Sequence, residues 1–509
     1  MTGFMRALPY LRPARIAAAG AVILYLGLML WYSRYHLLDD ALIHLRMAEL
    51  LLEHGFVTTD GQAVTFGTSS PLFLLATAAL HAAIASDFTT KTLSVVAYVV
   101  LVAMVALLAR RSVGMERWSW ATLAALALSP MGIRWLTDGM ETSLSVIVAL
   151  GLGIAAVRAR VMSGWSAFGL TLLAAAAVGT RVEMILLVAL ASAAAGTRGD
   201  RQASHALATG GACGLLLLWA TFGTVLPDPA LAKATGEAMP AATLAAIATS
   251  FAGGMGFGIG LLVLWIAGLT INLRAGTAPR VVVLVPNLAL ALLWCAVAAR
   301  GQYVQGIRHV LPPIVFMIAA NAALLGGRDP RALLAQVMPS MPWRPALMWF
   351  AAAVAGFAFM AEFGKFQTIV ERRSAAFLEM RALDLAALEG VDGIAWDVGH
   401  LMYFTKAQVC DVSGLINGRE AANTPEPQRL DNCLKRDVEF VFVTPENAAE
   451  LIERSGTRFA DWPICGQYLF QNVSTTMPHY LAVAPDRAAH VCPRSREEAP
   501  LIRAALHPS

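Results

Sequence analysis

From residue 16 to residue 361 the chain is a run of apolar stretches, separated by short loops that carry most of its charge. That pattern constrains the fold more than any other feature. A helix closes its own backbone hydrogen bonds and crosses a bilayer with about 20 apolar residues, whereas no soluble core has room for so many segments that are apolar all round. Stretches long enough to span, or nearly so, lie at 16–32, 91–109, 118–136, 142–157, 164–180, 183–197, 205–222, 251–273, 281–299, 309–326 and 344–361. The expected fold class is therefore an α-helical polytopic membrane protein with about eleven transmembrane helices. Composition agrees: 57% of residues are hydrophobic, 14% are charged and the mean hydropathy is +0.61, which excludes an ordinary soluble globular chain. The net charge of +4 sits in interhelical loops, so the lipid bilayer is a partner and nucleic acid is not.

Residues 71–85 are the ambiguous segment, because 15 residues that open on Ser69-Ser70-Pro71 suit a helix lying on the membrane better than one crossing it. Charge parity decides the matter. With 71–85 on the surface, the loops containing Arg110-Arg111-Arg117, Arg158-Arg160, Arg198-Arg201, Arg274-Arg280 and Arg328-Arg331-Arg344 all share the side of the N-terminus; with 71–85 spanning, every one flips. Positive loops stay in the cytoplasm, which places the N-terminus inside and the C-terminus outside. Arg6, Arg12 and Arg15 precede the first apolar run, and no small-residue cleavage site follows it, so that run reads as an uncleaved anchor.

From about residue 365 the composition changes, with Asp, Glu, Arg and Asn returning between short apolar runs. Strands are expected at 393–397, 408–412, 438–444 and 480–484, with helices at 375–389 and 445–455, giving a small extracytoplasmic α/β domain (363–509) after a membrane domain (1–362). Four of the six cysteines, Cys410, Cys433, Cys465 and Cys492, fall in this domain. No two are spaced Cys-x-x-Cys, so two disulfides in an oxidising compartment are expected over a zinc site, with three pairings open. Cys213 and Cys295 fall in apolar helices and are expected to pack there. The domain's expected role is to hold an acceptor over the membrane or to act as a structural lid.

On the outer side the first loop (33–90) carries Asp39-Asp40, and two adjacent carboxylates at a membrane edge are expensive unless they do chemistry or bind a cation. After them Leu42, Leu45, Ala48 and Leu52 recur at helical spacing, so residues 40–53 read as an amphipathic helix along the membrane, with Asp39 at its N-cap. The same side gathers the turn Asp138-Gly139-Met140-Glu141-Thr142, the tip Arg181-Val182-Glu183, the loop with Lys233, and Arg308-His309. Plain readings stand beside the chemical ones. Glu141 can cap the helix that follows it, Arg181 and Glu183 can pair across a hairpin tip, Arg300 suits a lipid headgroup and His44 a polar surface. Gly253 to Gly260 alternate in an apolar span with no strand before them, which suits close helix packing rather than a phosphate loop. The sequon Asn472-Val473-Ser474 carries little meaning in a bacterial host. Neither repeated halves nor ionisable groups at mid-membrane, the marks of a transporter, are present.

These residues resemble the GT-C superfamily of polytopic glycosyltransferases that use polyprenyl-phosphate sugars, and within it the family typified by the mycobacterial terminal arabinofuranosyltransferases. The motifs that carry the likeness are Asp39-Asp40-Ala41-Leu42-Ile43 with Arg46, Thr68-Ser69-Ser70-Pro71-Leu72, Asp138-Gly139-Met140-Glu141-Thr142, Arg181-Val182-Glu183, Thr224-Val225-Leu226-Pro227-Asp228 with Lys233, and Gly306-Ile307-Arg308-His309-Val310-Leu311-Pro312. Asp397-Val398-Gly399-His400 and Val409-Cys410-Asp411-Val412-Ser413-Gly414-Leu415 extend it to about residue 445. Val182 stands where that family has Pro and Asp228 where it has Asn. The resemblance implies an inverting glycosyltransferase of the bacterial inner membrane. It would move a sugar, arabinofuranose among the candidates, from a polyprenyl-phosphate donor to a cell-envelope glycan, glycolipid or protein acceptor. It further implies Asp39 as the base for the acceptor hydroxyl with Asp40 as its helper; Arg181, Lys233, Arg308 and His309 for the phosphate; and Asp138, Glu141 and Glu183 for sugar or acceptor. A divalent cation (Mg, Mn or Ca) held by Asp40 and Glu141 is a further expectation. A polymerase or ligase of lipid-linked glycans and a flippase of lipid-linked sugar remain as alternatives.

Overall fold

The structure, a computed structural model, describes residues 8–59, 64–158, 163–234, 255–276, 287, 307–326, 344–382, 388–456, 458–471 and 476–492. The membrane half consists of α1 (Leu8–Tyr32), α2 (Asp39–His54), α3 (Pro71–Ile84), α4 (Thr89–Arg111), α5 (Gly114–Ala127), α6 (Pro130–Leu136), α7 (Thr142–Arg158), α8 (Gly164–Thr180), α9 (Ile185–Thr197), α10 (Arg201–Phe222), α11 (Asp228–Ala234), α12 (Met255–Ala275), α13 (Leu311–Leu324) and α14 (Arg344–Ala382). Thr89–Arg111, Arg201–Phe222 and Gly256–Ala275 are each long and apolar enough to cross a membrane. Of the other expected spans, 142–157, 164–180, 183–197 and 309–326 form shorter apolar helices, 16–32 and 344–361 lie within the long helices α1 and α14, and 281–299 lies outside the described residues except at Asn287. Ile23, Leu24, Leu28, Trp165, Leu216, Leu217 and Trp219 are exposed on outer faces, the pattern of helices that meet lipid tails. Cys213 also faces outward rather than packing between helices as expected, while Cys295 lies outside the described residues.

Small residues set the helix packing, because between lipid-embedded helices close approach supplies the van der Waals contact that water cannot drive. A Cβ on Gly210 of α10 would strike the Thr171 carbonyl of α8, and one on Gly153 of α7 would strike the Phe316 carbonyl of α13. Two glycines of the 253–260 run behave the same way: Gly256 lies against α14 and Gly260 against Leu126 of α5.

The expected single span 118–136 is broken. α5 stops at Ala127, and Ser129 caps α6 by accepting from the Gly132 amide at 3.1 Å, with Pro130 supplying the fixed first-turn φ. The break buries Arg134 and the turn 137–141. Glu362 of α14 is buried and accepts from the Phe257 amide at 2.5 Å, satisfying the otherwise orphaned start of α12.

α14 runs without interruption from the membrane half into the C-terminal domain. That domain follows as β1 (Asp392–Ala395), α15 (Gly399–Thr405), β2 (Gln408–Asp411), α16 (Gly418–Asn423), α17 (Glu426–Leu434), β3 (Val438–Val443), α18 (Pro445–Ser455), β4 (Ile464–Gln471), β5 (Thr476–Val483) and α19 (Pro485–Val491). The sheet order is β2-β1-β3-β5-β4, with β1 parallel to β2 and β3, and β5 antiparallel to β3 and β4. The four strands expected from sequence are present, and β4 is additional. Cys410 pairs with Cys433 and Cys465 with Cys492, which answers both the choice of disulfides over zinc and the pairing. One apolar core joins the halves: Ile43 and Met47 of α2 and Met380 of α14 share it with Val398, Leu401, Phe440 and Phe442.

Asp411 ends β2 in the interior and accepts from the Leu415 and Ile416 amides. Burial pushes its carboxyl up to about 7. A carboxyl raised on folding contributes stability in full below its unfolded pKa and loses it as pH rises through the folded one. The C-terminal domain is therefore expected to lose stability as pH rises from about 4 to about 7, at roughly 1 kcal/mol per pH unit, and Asp411→Asn to flatten that slope. Chemical denaturation of the full chain across this window checks it; equal slopes in both proteins would remove the assignment.

Candidate active site

Leu38 is extended (φ −79°, ψ 154°) and α2 begins at Asp39, so Asp39 is the first residue of the helix rather than its N-cap. The reason lies across the domain seam. Its carboxylate is turned to the start of α15, where Oδ2 accepts from the Gly399 amide at 2.8 Å and Oδ1 accepts from the His400 amide at 2.8 Å. His400 Nδ1 lies 2.6 Å from the same Oδ1. Asp39 caps a helix, but one that is 360 residues away in sequence.

Asp40 turns the other way and forms an ion pair with Arg308. The side chains of Asp39 and Asp40 keep 23% and 31% of their surface exposed. Both are therefore held in place and still open to a substrate. His44, expected on the surface, is buried: Nδ1 lies 2.9 Å from the Asp40 carbonyl and Nε2 2.8 Å from Thr68 Oγ1. Thr68 Oγ1 also accepts from the Ser70 amide at 3.0 Å. The ring thus ties the Thr68-Ser69-Ser70-Pro71 segment to the Asp helix, which is why it faces inward.

The second acidic turn packs directly on the first. The Leu38 amide donates to the Asp138 carbonyl at 3.0 Å. Gly139 takes φ +89°, and a Cβ there would come within 2.6 Å of Leu37 Cδ2 and 2.9 Å of Ala41 Cβ. Only glycine allows both that turn and that contact. Asp138 is fully buried, with Oδ1 accepting from the Met140 amide at 3.1 Å, and burial pushes its carboxyl up to about 6.

Glu141 and Arg181 form a buried ion pair at 2.5 Å, at 0% and 2% exposure. Burial pushes the Glu141 carboxyl up, but Arg181, His44 and Arg308 outweigh it and hold it below its ordinary value. Arg181 also meets Glu183 at 3.1 Å and His309 Nδ1 at 2.8 Å, so the tip reading of Arg181 with Glu183 is present in the fold together with a second acid. Glu183 remains exposed at the rim. Asp228 accepts from the Phe66 amide at 3.2 Å and returns its own amide to the Phe66 carbonyl at 2.9 Å. Lys233 lies in α11, but its side chain falls outside the described residues, as does Arg300.

Asp40 with Arg308, and Glu141, Glu183 and His309 with Arg181, form paired groups that lie within electrostatic range of one another and of Asp138, while Asp39 stands beside Asp40 and is held by Gly399 and His400. Near them lies a set of groups that sequence reading missed. Lys91 is buried and donates to the Thr137 carbonyl; Arg134 is buried with its guanidinium 3.9 Å from the Trp135 ring centroid. His36 is fully buried, and burial, then Arg134, Lys91 and Arg373, push it well below its ordinary pKa, so the ring is neutral. Arg373 of α14 is buried within electrostatic range of Asp39, Asp397 and Asp138. Lys91, Arg134, Arg308 and Arg373 thus make the buried surroundings of the two part-exposed carboxylates predominantly cationic, as suits an anionic ligand.

Asp40 faces Arg308 and Glu141 faces Arg181, so the two carboxylates expected to hold a divalent cation each meet a guanidinium. Among the described residues no three His, Cys, Asp or Glu side chains are grouped to hold a metal ion.

No family model matches the chain, and no curated protein matches it. Two solved structures do: ArnT from Cupriavidus metallidurans bound to undecaprenyl phosphate, and the same protein in the apo state. Each aligns with a TM-score of 0.52 at 12% identity over 92% of this chain, covering 99% and 98% of the ArnT chains respectively. The chain shares the fold of ArnT. At this identity the likeness is one of fold across both domains, and it does not extend to the arabinofuranosyltransferase-like subgroup.

Proposed function

We propose that the chain is an inverting membrane glycosyltransferase that moves a sugar from a polyprenyl-phosphate donor to an extracytoplasmic acceptor. The observation that carries this reading is the pair of half-open carboxylates, Asp39 and Asp40, set over a buried group of cations at the seam of two domains. In the step proposed, the acceptor hydroxyl oxygen attacks the anomeric carbon, its proton passes to Asp39, and the bond to the phosphate oxygen breaks with its electron pair going to the phosphate. Displacement in one step inverts the anomeric centre. Arg308 and the cations behind it stabilise the charge that develops on the leaving phosphate.

The fold supports the donor class, since one ArnT structure holds undecaprenyl phosphate. The two disulfides support an oxidising side for the C-terminal domain, which is consistent with an N-terminus inside and that domain in the periplasm. Arabinofuranose is the first sugar to test and a cell-envelope glycan, glycolipid or protein the acceptor. Purified protein is expected to transfer label from a polyprenyl-phosphate sugar to such an acceptor and to release polyprenyl phosphate. Movement of the intact lipid-linked sugar across vesicles, without transfer from any donor, would instead indicate a flippase, and joining of whole lipid-linked glycans a polymerase or ligase.

A further inference from the structure

Outside the residues assigned to the reaction above, the segment that runs from β1 into the start of α15 meets the site at Asp39. It leaves the carboxyl end of a parallel strand, the end at which open α/β sheets place their ligand contacts, and its residues Gly399 and His400 touch Asp39. Resting on the transfer reaction proposed above, we propose that His400 is a positioning residue for Asp39, so that the C-terminal domain completes the transfer site rather than covering it.

Three observations carry the proposal. First, both Asp39 oxygens are held: Oδ2 by the Gly399 amide at 2.8 Å, and Oδ1 by the His400 amide at 2.8 Å and the imidazole at 2.6 Å. An ionised carboxylate offers about four lone-pair sites. Three are taken and one is left, on Oδ2, so Asp39 can receive a proton from one direction only. Second, the approach is built into the backbone. A Cβ on Gly399 would fall on the Asp39 carbonyl and lie 2.8 Å from its Cγ, so no other residue lets the loop come this close. Third, the loop cannot drift. Val398, Leu401 and Met402 are buried in the core shared with Ile43 and Met47 on the face of α2 next to Asp39, and His400 itself is 2% exposed. A carboxylate oxygen accepts, so Nδ1 carries the hydrogen, and this bond sets the tautomer of the ring. The consequence is a base whose remaining lone pair is aimed by the partner domain, and an error of about 1 Å in such aiming can reduce a rate about a hundredfold.

His400→Leu removes the ring donor, while His400→Asn keeps a side-chain N–H at similar reach. The proposal expects His400→Leu to lower kcat about a hundredfold with KM for the donor little changed, and His400→Asn to recover at least tenfold of that loss. A kcat within twofold of wild type in His400→Leu, a loss confined to KM, or two folded variants equally impaired would each overturn it. A readout independent of turnover keeps the two proposals apart. In protein labelled with 15N-histidine, the His400 Nδ1–H resonance is expected at the downfield position of a carboxylate-bonded ring and is expected to move upfield in Asp39→Asn. An unchanged resonance would end the positioning role even if transfer is confirmed; an Asp39-dependent resonance in a protein that transfers from no donor would leave the pair standing and remove the glycosyltransferase reading.

Discussion

Asp39→Asn is expected to lower transfer by about 10²–10⁴-fold, the usual contribution of a general base, while the protein still folds. The amide cannot take up the acceptor's proton, yet its carbonyl oxygen still accepts from the start of α15. The structural loss should therefore stay near the cost of a weakened helix cap, about 1 kcal/mol. Asp40→Asn serves as the internal comparison. Its carboxylate is committed to Arg308, so it is expected to lower the rate less and to act mainly by loosening that arginine. Initial rates with a radiolabelled polyprenyl-phosphate sugar, measured beside thermal melting of each variant, decide the matter. Full transfer by folded Asp39→Asn would sink the base assignment, and a larger loss in Asp40→Asn would reassign the base within the pair.

How much of this site is legible in the sequence depends on the kind of signal each residue leaves. The apolar runs, the motif order and the cysteine segregation are local or compositional, and they lead to the helical fold, the α/β domain and a cluster around Asp39 and Asp40. Arg134 also left a signal: an ionisable residue inside an apolar run is by default a functional candidate. Treating 118–136 as one span hid it, because Ser129-Pro130 was read through rather than as a helix start. Lys91 stands at the edge of an apolar run, where a lysine leaves no signal of a buried role. His36 and Arg373 carry no local signal, since only tertiary packing brings His36 near Arg134 and Lys91 and Arg373 near Asp39 and Asp138. His44 was misread because helical spacing shows which residues share a face but not what covers that face; here the Thr68 segment covers it. The strand β4 was missed because Cys465-Gly466-Gln467 interrupts its alternation, and the register shifts where β4 passes that glycine. His400 stood in a recognised motif without a role, because its partner lies at the other end of the chain.

Arg181→Ala is expected to destabilise the fold by about 3–5 kcal/mol, the cost of leaving one partner of a buried ion pair uncompensated, and to do so more than Glu141→Ala does. The asymmetry follows from the partners that remain. Without Glu141, Arg181 keeps Glu183 at 3.1 Å and His309 at 2.8 Å; without Arg181, Glu141 is fully buried with its nearest counter-charge gone. The pH dependence has a definite sign. In the wild type the Glu141 carboxyl is held below its ordinary value, so its contribution is present above the unfolded pKa and is lost as pH falls through the folded one. In Arg181→Ala the strongest of the charges that oppose burial is gone and only His44 and Arg308 are left against it, so the carboxyl is expected to move up and stability there to fall as pH rises. The gap between the two proteins should therefore widen from about pH 5 to about pH 8 in thermal melting. Replacing both partners with Met and Leu should recover most of the loss, since the pair's desolvation cost disappears with its charges. Activity separates structure from chemistry: if Arg181 also holds the donor phosphate, the restored double variant will fold and still transfer poorly. Wild-type rates in that variant would confine Arg181 to the scaffold and leave Arg308 and the cations beneath it to meet the leaving group.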